Sequence, residues 1–285
     1  MDGYIKGGET LEYEQFESIR REQRKTLDEK IETSINAIKE GISKSKRPCV
    51  AFSGGKASLV ALHLTLQVKP DVMVLFNNTT NEFHETVKYV RDLARKWKLR
   101  FYEVKPKLNY WQVVKKHGFP HQQRYKFGEP KCCQILKTDP AVEFYRKKHI
   151  DCVITGIQAS ESGARLLLTA QKGIIFESES IGNARLPRKI IRINPVCYWL
   201  DKDLWEYIER YNIPVNPVYE KYGIDRCGCV ACTGYFGWEK ELARIRPRIL
   251  ERIYNMMGIT QLKLDEETEE IRVRDNKVTL DDFDS

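Results

Sequence analysis

Short apolar runs alternate with amphipathic segments through the middle of this sequence. Residues 48–52, 72–76, 100–104 and 152–157 are apolar enough to form buried strands, and helical spacing of apolar residues occupies much of the chain between them. Strands that alternate with helices predict right-handed βαβ units and a sheet covered on both faces. We therefore expect an α/β fold with a doubly wound, mostly parallel sheet.

The regions on either side of this pattern predict appendages to a main domain. Residues 1–46 are highly charged and carry isoleucines at helical spacing, which predicts an N-terminal helical extension. The main domain is expected over 47–235. Residues 236–285 predict a C-terminal helix, broken at Pro247, and an acidic tail. Alternating apolar residues around Ile271 are compatible with a hairpin in that tail.

Charge is distributed unevenly along the 285 residues, which carry a formal net charge of +8. Residues 259–285 hold nine acidic against four basic side chains, so the rest of the chain is more basic than the whole. A basic body suits a polyanionic partner such as a nucleotide or a nucleic acid. A lysine-rich solvated surface explains the same charge, so charge alone does not decide between them.

No apolar run approaches the roughly 18 residues that a membrane span needs. The first ten residues contain no apolar stretch typical of a secretory signal. We therefore expect a cytoplasmic protein that makes no membrane contact.

A glycine pair follows the first predicted strand and precedes a predicted helix. At such a position backbone N–H groups and the positive end of the helix can bind phosphate, and glycines let the backbone approach a ligand closely. The spacing is not that of a Walker loop. A plain strand-to-helix turn is the alternative. We favour phosphate binding because a lysine and two hydroxyls accompany the glycines: Ser53, Gly54, Gly55, Lys56 and Ser58.

Five of the eight cysteines form two tight groups: Cys132, Cys133, Cys227, Cys229 and Cys232. In a reducing compartment such grouping favours metal or redox chemistry over disulfides. Four thiolates suit both a four-iron cluster and an all-thiolate zinc site. We favour the cluster because an adjacent pair is awkward for a zinc knuckle. Cys227 is then either a spare thiol or one that handles sulfur.

Several segments together resemble a known family. The loop at 53–58 resembles the Ser-Gly-Gly-Lys-Asp-Ser motif of PP-loop N-type ATP pyrophosphatases, and 76–86 looks like their segment beside adenosine. Residues 132–140 are similar to the Cys-Cys…Lys…Pro segment of adenylyl-sulfate and phosphoadenylyl-sulfate reductases, and 155–165 resembles another of their motifs. Over 48–235, the chain thus resembles the superfamily that contains these reductases.

The resemblance implies roles for individual residues. ATP and Mg²⁺ would bind at the loop, with further nucleotide contacts from Asn78, Thr79, Gly156 and Glu161. Catalytic roles would fall to Lys56, Arg165 and Cys227. The adjacent pair and the Cys-x-x-Cys pair would hold a 4Fe–4S cluster through Cys132, Cys133, Cys229 and Cys232.

Two positions depart from the family pattern. Gln158 replaces the first arginine of the motif at 155–165. Ala57 stands where the loop motif has Asp, a residue thought to organise the Mg–pyrophosphate end of ATP. Ala57 is either natural divergence or an engineered change that traps nucleotide. It puts ATP turnover in question, but neither the fold nor nucleotide binding.

Three functions are compatible with these features. The first is an ATP pyrophosphatase that adenylates a nucleic acid or related acceptor, after which sulfur from a donor such as a cysteine desulfurase displaces AMP. This resembles the enzymes of DNA phosphorothioation and tRNA thiolation. Basic and aromatic residues interleaved at 124–127 would suit a nucleic-acid strand, although a substrate loop is the simpler interpretation. A homodimer is also compatible.

The second function is an adenylyl-sulfate or phosphoadenylyl-sulfate reductase that releases sulfite. It ranks second because members of that family carry a C-terminal Glu-Cys-Gly-Leu-His segment, whereas this sequence has no cysteine after Cys232. The third is a nucleotide-binding module without turnover, which only Ala57 suggests.

Overall fold

The structure is a computed structural model that describes residues 13–123, 129–258, 262–264 and 271–273. In this part of the chain a six-stranded sheet has the order β3-β2-β1-β4-β6-β5. Its strands are β1 (Pro48–Ala51), β2 (Met73–Asn77), β3 (Arg100–Val104), β4 (Cys152–Thr155), β5 (Ile175–Ile181) and β6 (Ala184–Ile193).

Neighbouring strands of this sheet are parallel except β5, which runs antiparallel to β6 at one edge. The predicted doubly wound, mostly parallel α/β sheet is therefore confirmed. The sequence pattern did not indicate β5, because its charged and polar residues give no clear apolar alternation.

The helices before β4 are α1 (Tyr13–Arg24), α2 (Leu27–Ser43), α3 (Lys56–Val68), α4 (His84–Lys96), α5 (Tyr110–His117), α6 (Lys131–Cys133) and α7 (Asp139–Lys148). A π-helical turn at Gln134–Thr138 joins α6 to α7. Those after β4 are α8 (Gly163–Lys172), α9 (Asp201–Arg210), α10 (Val218–Tyr222), α11 (Trp238–Ile245) and α12 (Pro247–Met257).

The helix break predicted at Pro247 is confirmed, since α11 ends at Ile245 and proline opens α12. In the tail, β7 (Leu262–Leu264) pairs antiparallel with β8 (Ile271–Val273), as the alternation there predicted. No helix in the described ranges is long and apolar enough to cross a membrane. The basic and aromatic residues at 124–127 lie outside the described residues.

Helices cover both faces of the sheet, because successive strand residues point to opposite sides. On one face, strand residues such as Cys49 and Leu75 pack with Phe144 and Tyr145 of α7. On the other face, Val50 and its neighbours pack with α2, α3, α4 and α9. Both faces are therefore buried, as a parallel sheet requires.

Helix α2 belongs to the core of the main domain. Its Ile38 is fully buried in the same cluster as Val50. Lys30 forms a buried ion pair with Asp203 of α9, 2.5 Å from Nζ to Oδ2. Ser34 accepts a hydrogen bond of 3.0 Å from Nε1 of buried Trp199. The predicted domain boundary after residue 46 stays a prediction, but α2 packs against the sheet rather than standing apart from it.

A second apolar cluster holds the cysteine segments. Cys132 and Leu136 pack there with Val230 and Ala231, and with Leu250 of α12. Residues of α5, α10 and α11 complete the cluster. The C-terminal helices therefore form part of the surroundings of the two cysteine groups.

Candidate functional site

The order of the strands places a crevice at the carboxyl ends of β1 and β4. The chain leaves β1 towards β2 on one side, and β4 lies on the other, so these two adjacent strands form a topological switch point. Ligands of open α/β sheets bind at such points. The loop after β1 is the predicted phosphate loop, and the segment after β4 begins at Gly156.

Gly156 allows these two segments to touch. A Cβ atom at this position would lie 2.4 Å from the backbone nitrogen of Ser58 and 2.5 Å from the carbonyl carbon of Ala57. Only glycine permits so close an approach to the first turn of α3. The structure therefore gives Gly156 a packing role, and its predicted contact with a nucleotide stays a prediction.

The loop after β1 is held in shape by its own hydroxyls. The Ser53 N–H donates to Ser58 Oγ at 3.2 Å, and the two seryl oxygens lie 3.0 Å apart. Ser58 Oγ also donates to the Gly55 carbonyl at 2.8 Å. Gly54 has φ +81°, and a Cβ there would lie 2.8 Å from Val90 Cγ2. The glycine and the two serines thus stabilise the loop conformation. Ser53 is exposed and is therefore accessible to a ligand.

Lys56, expected to contact phosphate, is enclosed by residues of the protein. Its Nζ lies 3.1 Å from Asp201 Oδ2 and donates to the Asp225 carbonyl. The rings of Tyr219 and Trp205 lie 5.2 Å and 5.7 Å from the ammonium. The lysine side chain is only 9% exposed. An anion that binds Lys56 must therefore compete with these partners.

The backbone of Lys56 is also occupied, because its N–H donates to the Tyr219 hydroxyl at 2.9 Å. We call Asp201, Trp205, Tyr219 and Asp225 the lysine cage. No site role was predicted for these four residues. They lie far from the loop in sequence, and their contacts with Lys56 depend on the fold.

Cys227 lies against the phosphate loop. Asn216 Nδ2 donates to Cys227 Sγ at 3.2 Å and to the Gly54 carbonyl at 3.2 Å. The Thr86 hydroxyl lies 3.3 Å from the same sulfur. Burial raises the pKa of Cys227 to about 11, although hydrogen bonds from Thr86 and Asn216 and the charge of Lys56 act in the opposite direction. The structure thus brings Cys227 to the loop.

The other four cysteines converge on one region around Tyr110. Burial, and then the charges of Cys132, Cys232, Cys229 and Cys133, raise the pKa of the Tyr110 hydroxyl above its ordinary range. A hydrogen bond from Cys133 is the main cause that lowers the pKa of Cys132. Two chain segments therefore bring four cysteines to the surroundings of Tyr110, and their role as cluster ligands stays a prediction.

Backbone contacts fix the Cys-x-x-Cys segment. The Val230 N–H donates to the Asn81 carbonyl at 2.6 Å, and the Ala231 N–H donates to Asn81 Oδ1 at 3.2 Å. The Tyr110 hydroxyl donates to the Ala231 carbonyl. The Thr79 hydroxyl lies 3.7 Å from Cys229 Sγ. The segment is thus anchored to the chain that follows β2, and Thr79 contacts the cysteine group.

Four thiols in one region match the donor set of an iron-sulfur cluster. Within the described ranges, however, no group of three or more His, Cys, Asp or Glu side chains is arranged to hold a metal ion. A zinc ion would need its sulfurs about 3.8 Å apart, given Zn–S bonds of about 2.3 Å in a tetrahedron. The cluster distributes its ligands over several irons and tolerates wider spacing. Four thiolates suit either group, and the cluster assignment stays a prediction.

The remaining predicted residues make contacts within the protein. The Asn78 side chain donates to Glu103 at 2.8 Å and accepts from the Thr80 N–H at 3.1 Å. Glu161 forms an ion pair with Arg165. Burial, followed by the nearby charge of Arg226, lowers the pKa of the Arg165 guanidinium. The predicted roles of Asn78, Glu161 and Arg165 stay predictions.

Arg226, which sequence reasoning did not single out, lies near Arg165. It is exposed, and its guanidinium stacks over the Tyr235 ring at 5.0 Å. Two neighbouring guanidinium groups repel each other and favour an anion between them. The position directly before Cys227 was the only sequence signal that could have indicated it.

The fold and the loop together define an α/β domain of nucleotide-binding type. The sequence matches the phosphoadenosine phosphosulfate reductase domain over residues 47–235. This match covers more than half of the chain, and the chain belongs to that family.

Relatives with similar sequences include two uncharacterised proteins of Methanocaldococcus jannaschii. They are 33% identical over 249 residues and 30% identical over 226 residues, which cover 86% and 78% of this chain. The chain spans about half the length of these relatives, 48% and 51%. An adenosine 5′-phosphosulfate reductase of a Geobacillus strain is 30% identical over 184 residues, covering 64% of this chain and 71% of that protein.

Solved structures with a similar fold include a phosphoadenylyl-sulfate reductase from Candida auris in a phosphate complex. Its TM-score is 0.52 at 21% identity, covering 78% of this chain and 98% of that one. An FMN adenylyltransferase from Candida glabrata in complex with ATP has a TM-score of 0.53 at 14% identity, covering 76% and 69%. At these identities the likeness supports the fold alone.

Proposed function

We propose that this protein is an adenylyl-sulfate or phosphoadenylyl-sulfate reductase in which Cys227 is the nucleophile. The observation that carries this proposal is the position of Cys227, whose sulfur shares the Asn216 amide with the Gly54 carbonyl of the phosphate loop. A phosphosulfate bound at that loop would have its sulfonate within reach of a thiol. The name of the Geobacillus relative supports the same substrate class.

The reaction begins with attack of the Cys227 thiolate on the sulfonate sulfur. An S–S bond forms, the S–O bond to the phosphate breaks, and AMP or its 3′-phosphorylated form leaves with the bonding electrons. The thiol proton passes to solvent. One thiol of an external dithiol then attacks Cys227 Sγ, which releases sulfite and forms a mixed disulfide. The second thiol of the dithiol attacks this bond, which frees Cys227 and leaves the dithiol as a disulfide.

Charged groups around the loop would bind the substrate anion. Arg165 and Arg226 supply guanidinium groups, and Ser53 is exposed at the loop. A 4Fe–4S cluster held by Cys132, Cys133, Cys229 and Cys232 would supply electron-accepting capacity nearby. Ala57 is compatible with this reaction, because phosphosulfate cleavage forms no pyrophosphate for a loop carboxylate and Mg²⁺ to organise.

The experiment compares Cys227→Ser with the wild type in anaerobic sulfite release from adenylyl sulfate and phosphoadenylyl sulfate with a dithiol. We expect the variant to lose at least about a thousandfold in rate, because serine is a much weaker nucleophile. Cys197→Ser, at a buried cysteine outside the site, is the matched control and should retain activity. Sulfite release by Cys227→Ser at the wild-type rate would exclude the proposed nucleophile.

Adenylation followed by sulfur transfer is the second candidate. The Gly-Gly-Lys loop favours it, and Asp201 places a carboxylate 3.1 Å from Lys56 Nζ, where the loop itself lacks an acid. In that reaction ATP and Mg²⁺ would bind at the loop, a nucleic acid or related acceptor would be adenylated, and a sulfur donor such as a cysteine desulfurase would supply the sulfur.

Pyrophosphate release from ATP, measured for the wild type and for Ala57→Asp, tests this second candidate. Adenylation predicts release that Ala57→Asp increases and that depends on Mg²⁺. Sulfite release from a phosphosulfate, with no pyrophosphate release from ATP by either protein, would reject it.

A further inference from the structure

The lysine cage connects the phosphate loop with the segment that carries Cys227. Lys56 Nζ donates to the carbonyl of Asp225, two residues before Cys227. The Lys56 N–H donates to Tyr219, which lies on α10 in the same segment. Asn216 holds both the Gly54 carbonyl and Cys227 Sγ. Lys56 is therefore the loop side chain whose charge contacts the Cys227 segment directly.

The contacts of Lys56 can be exchanged for an anion. Asp201 is 59% exposed, so water reaches its carboxylate and the ion pair with Lys56 is weak. A nucleotide phosphate at the loop carries more negative charge than one carboxylate and would attract the same ammonium. If Lys56 turns to the phosphate, the Asp225 carbonyl loses its donor.

We propose that Lys56 is a positioning residue that couples nucleotide binding to the Cys227 segment. Without nucleotide, Lys56 holds Asp225 and so keeps the chain from Tyr219 to Cys227 against the loop. Nucleotide phosphate draws Lys56 away from Asp201 and the Asp225 carbonyl, and the release of the segment lets Cys227 adjust its position at the loop towards the substrate. The proposal rests on the proposed function, since it assumes a nucleotide at the loop.

Hydrogen–deuterium exchange with and without saturating AMP measures the coupling. In the wild type, AMP should slow exchange of the loop amides at 53–58, which it covers. The same AMP should speed exchange at 220–228 by about tenfold, since a hydrogen bond from a charged donor is lost there. In Lys56→Met, exchange at 220–228 should be fast already and should not respond to AMP.

Lys88→Met is the matched control, because Lys88 lies exposed on α4 and pairs with Asp92. It should behave as the wild type in both segments. Lys56→Arg, which keeps the charge, should restore the response at 220–228 at least in part. A merely structural role of Lys56 would alter exchange in all states without making 220–228 respond to AMP.

Asp201→Asn adds a second test, in which AMP affinity should increase rather than decrease. Because Asp201 competes with phosphate for Lys56, its removal should tighten AMP binding by about two- to fivefold, the range expected for an exposed ion pair. Glu206→Gln, on the same helix and paired with Arg210, should leave binding unchanged.

The outcomes separate this inference from the proposed function. If AMP neither binds nor protects residues 53–58 in the wild type, both the nucleotide site and the coupling are rejected. If AMP protects 53–58 but exchange at 220–228 is unchanged or slower, only the coupling is overturned. Weaker AMP binding by Asp201→Asn would also overturn it.

Discussion

The phosphate loop and the four-cysteine group lie in one molecule but are built in different ways. The loop is a continuous segment, and its polar groups already have partners within the protein, from Ser58 to the lysine cage. The cysteine group comes from two distant segments. Its backbone is anchored by Asn81 and Tyr110, and the charges of its four thiols all raise the pKa of the Tyr110 hydroxyl.

Because of this difference, a ligand at the loop and a cofactor at the cysteine group would bind in different ways. Ligand binding at the loop requires an exchange of partners, because Lys56 is not free to bind an anion. At the cysteine group, Cys132 is buried and Cys133, Cys229 and Cys232 are half-buried. An added cofactor would satisfy them. The loop is therefore suited to reversible binding of a ligand, and the cysteine group is suited to a cofactor that stays bound.

The largest expected effect comes from removing one thiol of the cysteine group. Cys229→Ser should reduce iron in an anaerobic preparation from about four atoms per chain to a small fraction, since the cluster needs four thiolates. Iron analysis and visible absorbance measure this. Cys227→Ser is the reciprocal control and should keep its iron while losing sulfite release. Equal iron content in Cys229→Ser and the wild type would contradict the assignment of that ligand.

The next largest effect should come from adding a methyl group at the contact between loop and β4. Gly156→Ala places a carbon 2.4 Å from the Ser58 nitrogen and should lower the free energy of unfolding by about 3 kcal/mol. Urea unfolding of the apoprotein measures it. Gly163→Ala is the matched control, because no atom lies within 4 Å of the added carbon. Equal destabilisation by both substitutions would show that the close approach is unimportant.

A matched pair of tyrosine substitutions compares the regions directly. Tyr219→Phe and Tyr110→Phe each remove one hydroxyl, and each should cost about 1 kcal/mol of stability. Their functional effects should differ. Tyr219→Phe frees the Lys56 N–H and should leave iron content unchanged, whereas Tyr110→Phe leaves the Ala231 carbonyl without its donor and should speed loss of iron to a chelator. Chelator-dependent bleaching of visible absorbance separates the two. Identical bleaching rates for the two variants would show that Tyr110 has no specific role in iron retention.

The smallest effect that we expect is a dependence of the free energy of unfolding on pH, caused by Glu85 of α4. Burial raises the pKa of Glu85, but hydrogen bonds from Lys221 and Tyr222 of α10 outweigh it and lower the pKa from 4.5 to about 2. The folded-state pKa lies below the unfolded value, so Glu85 stabilises the fold above about pH 4.5 and loses this effect as pH falls towards 2.

Thermal unfolding between pH 7 and pH 3 tests this contribution. Glu85→Gln should be less stable than the wild type at pH 7, and the gap should narrow on acidification. Glu206→Gln, on the exposed face of α9, provides the control. A gap for Glu85→Gln that stays constant with pH would contradict the role of its charge.

Sequence reasoning reached much of the fold because the signals were local. Apolar strands bounded by turns predicted β1 to β4, and Pro247 predicted the break between α11 and α12 because proline in a helix interior kinks or breaks the helix. It missed β5, whose charged side chains at the sheet edge give no apolar alternation. Ile38 of α2 is fully buried in the main core, and the predicted boundary after residue 46 stays a prediction.

In the candidate site, too, some residues were predictable from local sequence and others were not. Glycines and hydroxyls at 53–58 indicated a phosphate loop, and the tight grouping of cysteines indicated metal or redox chemistry. The position of Cys227 could not be predicted. It lies two residues from Cys229 in sequence, yet Asn216 and Thr86 hold it at the loop.

Local sequence was enough to indicate which segments form a parallel sheet and which residue types suit phosphate or a metal, because these properties depend on neighbours along the chain. The partners that those residues meet follow from the packing of distant segments. Asp201, Tyr219 and Asp225 reach Lys56 from residues 201–225, far from the loop in sequence. Such contacts depend on how helices pack across the sheet, and no local pattern encodes them.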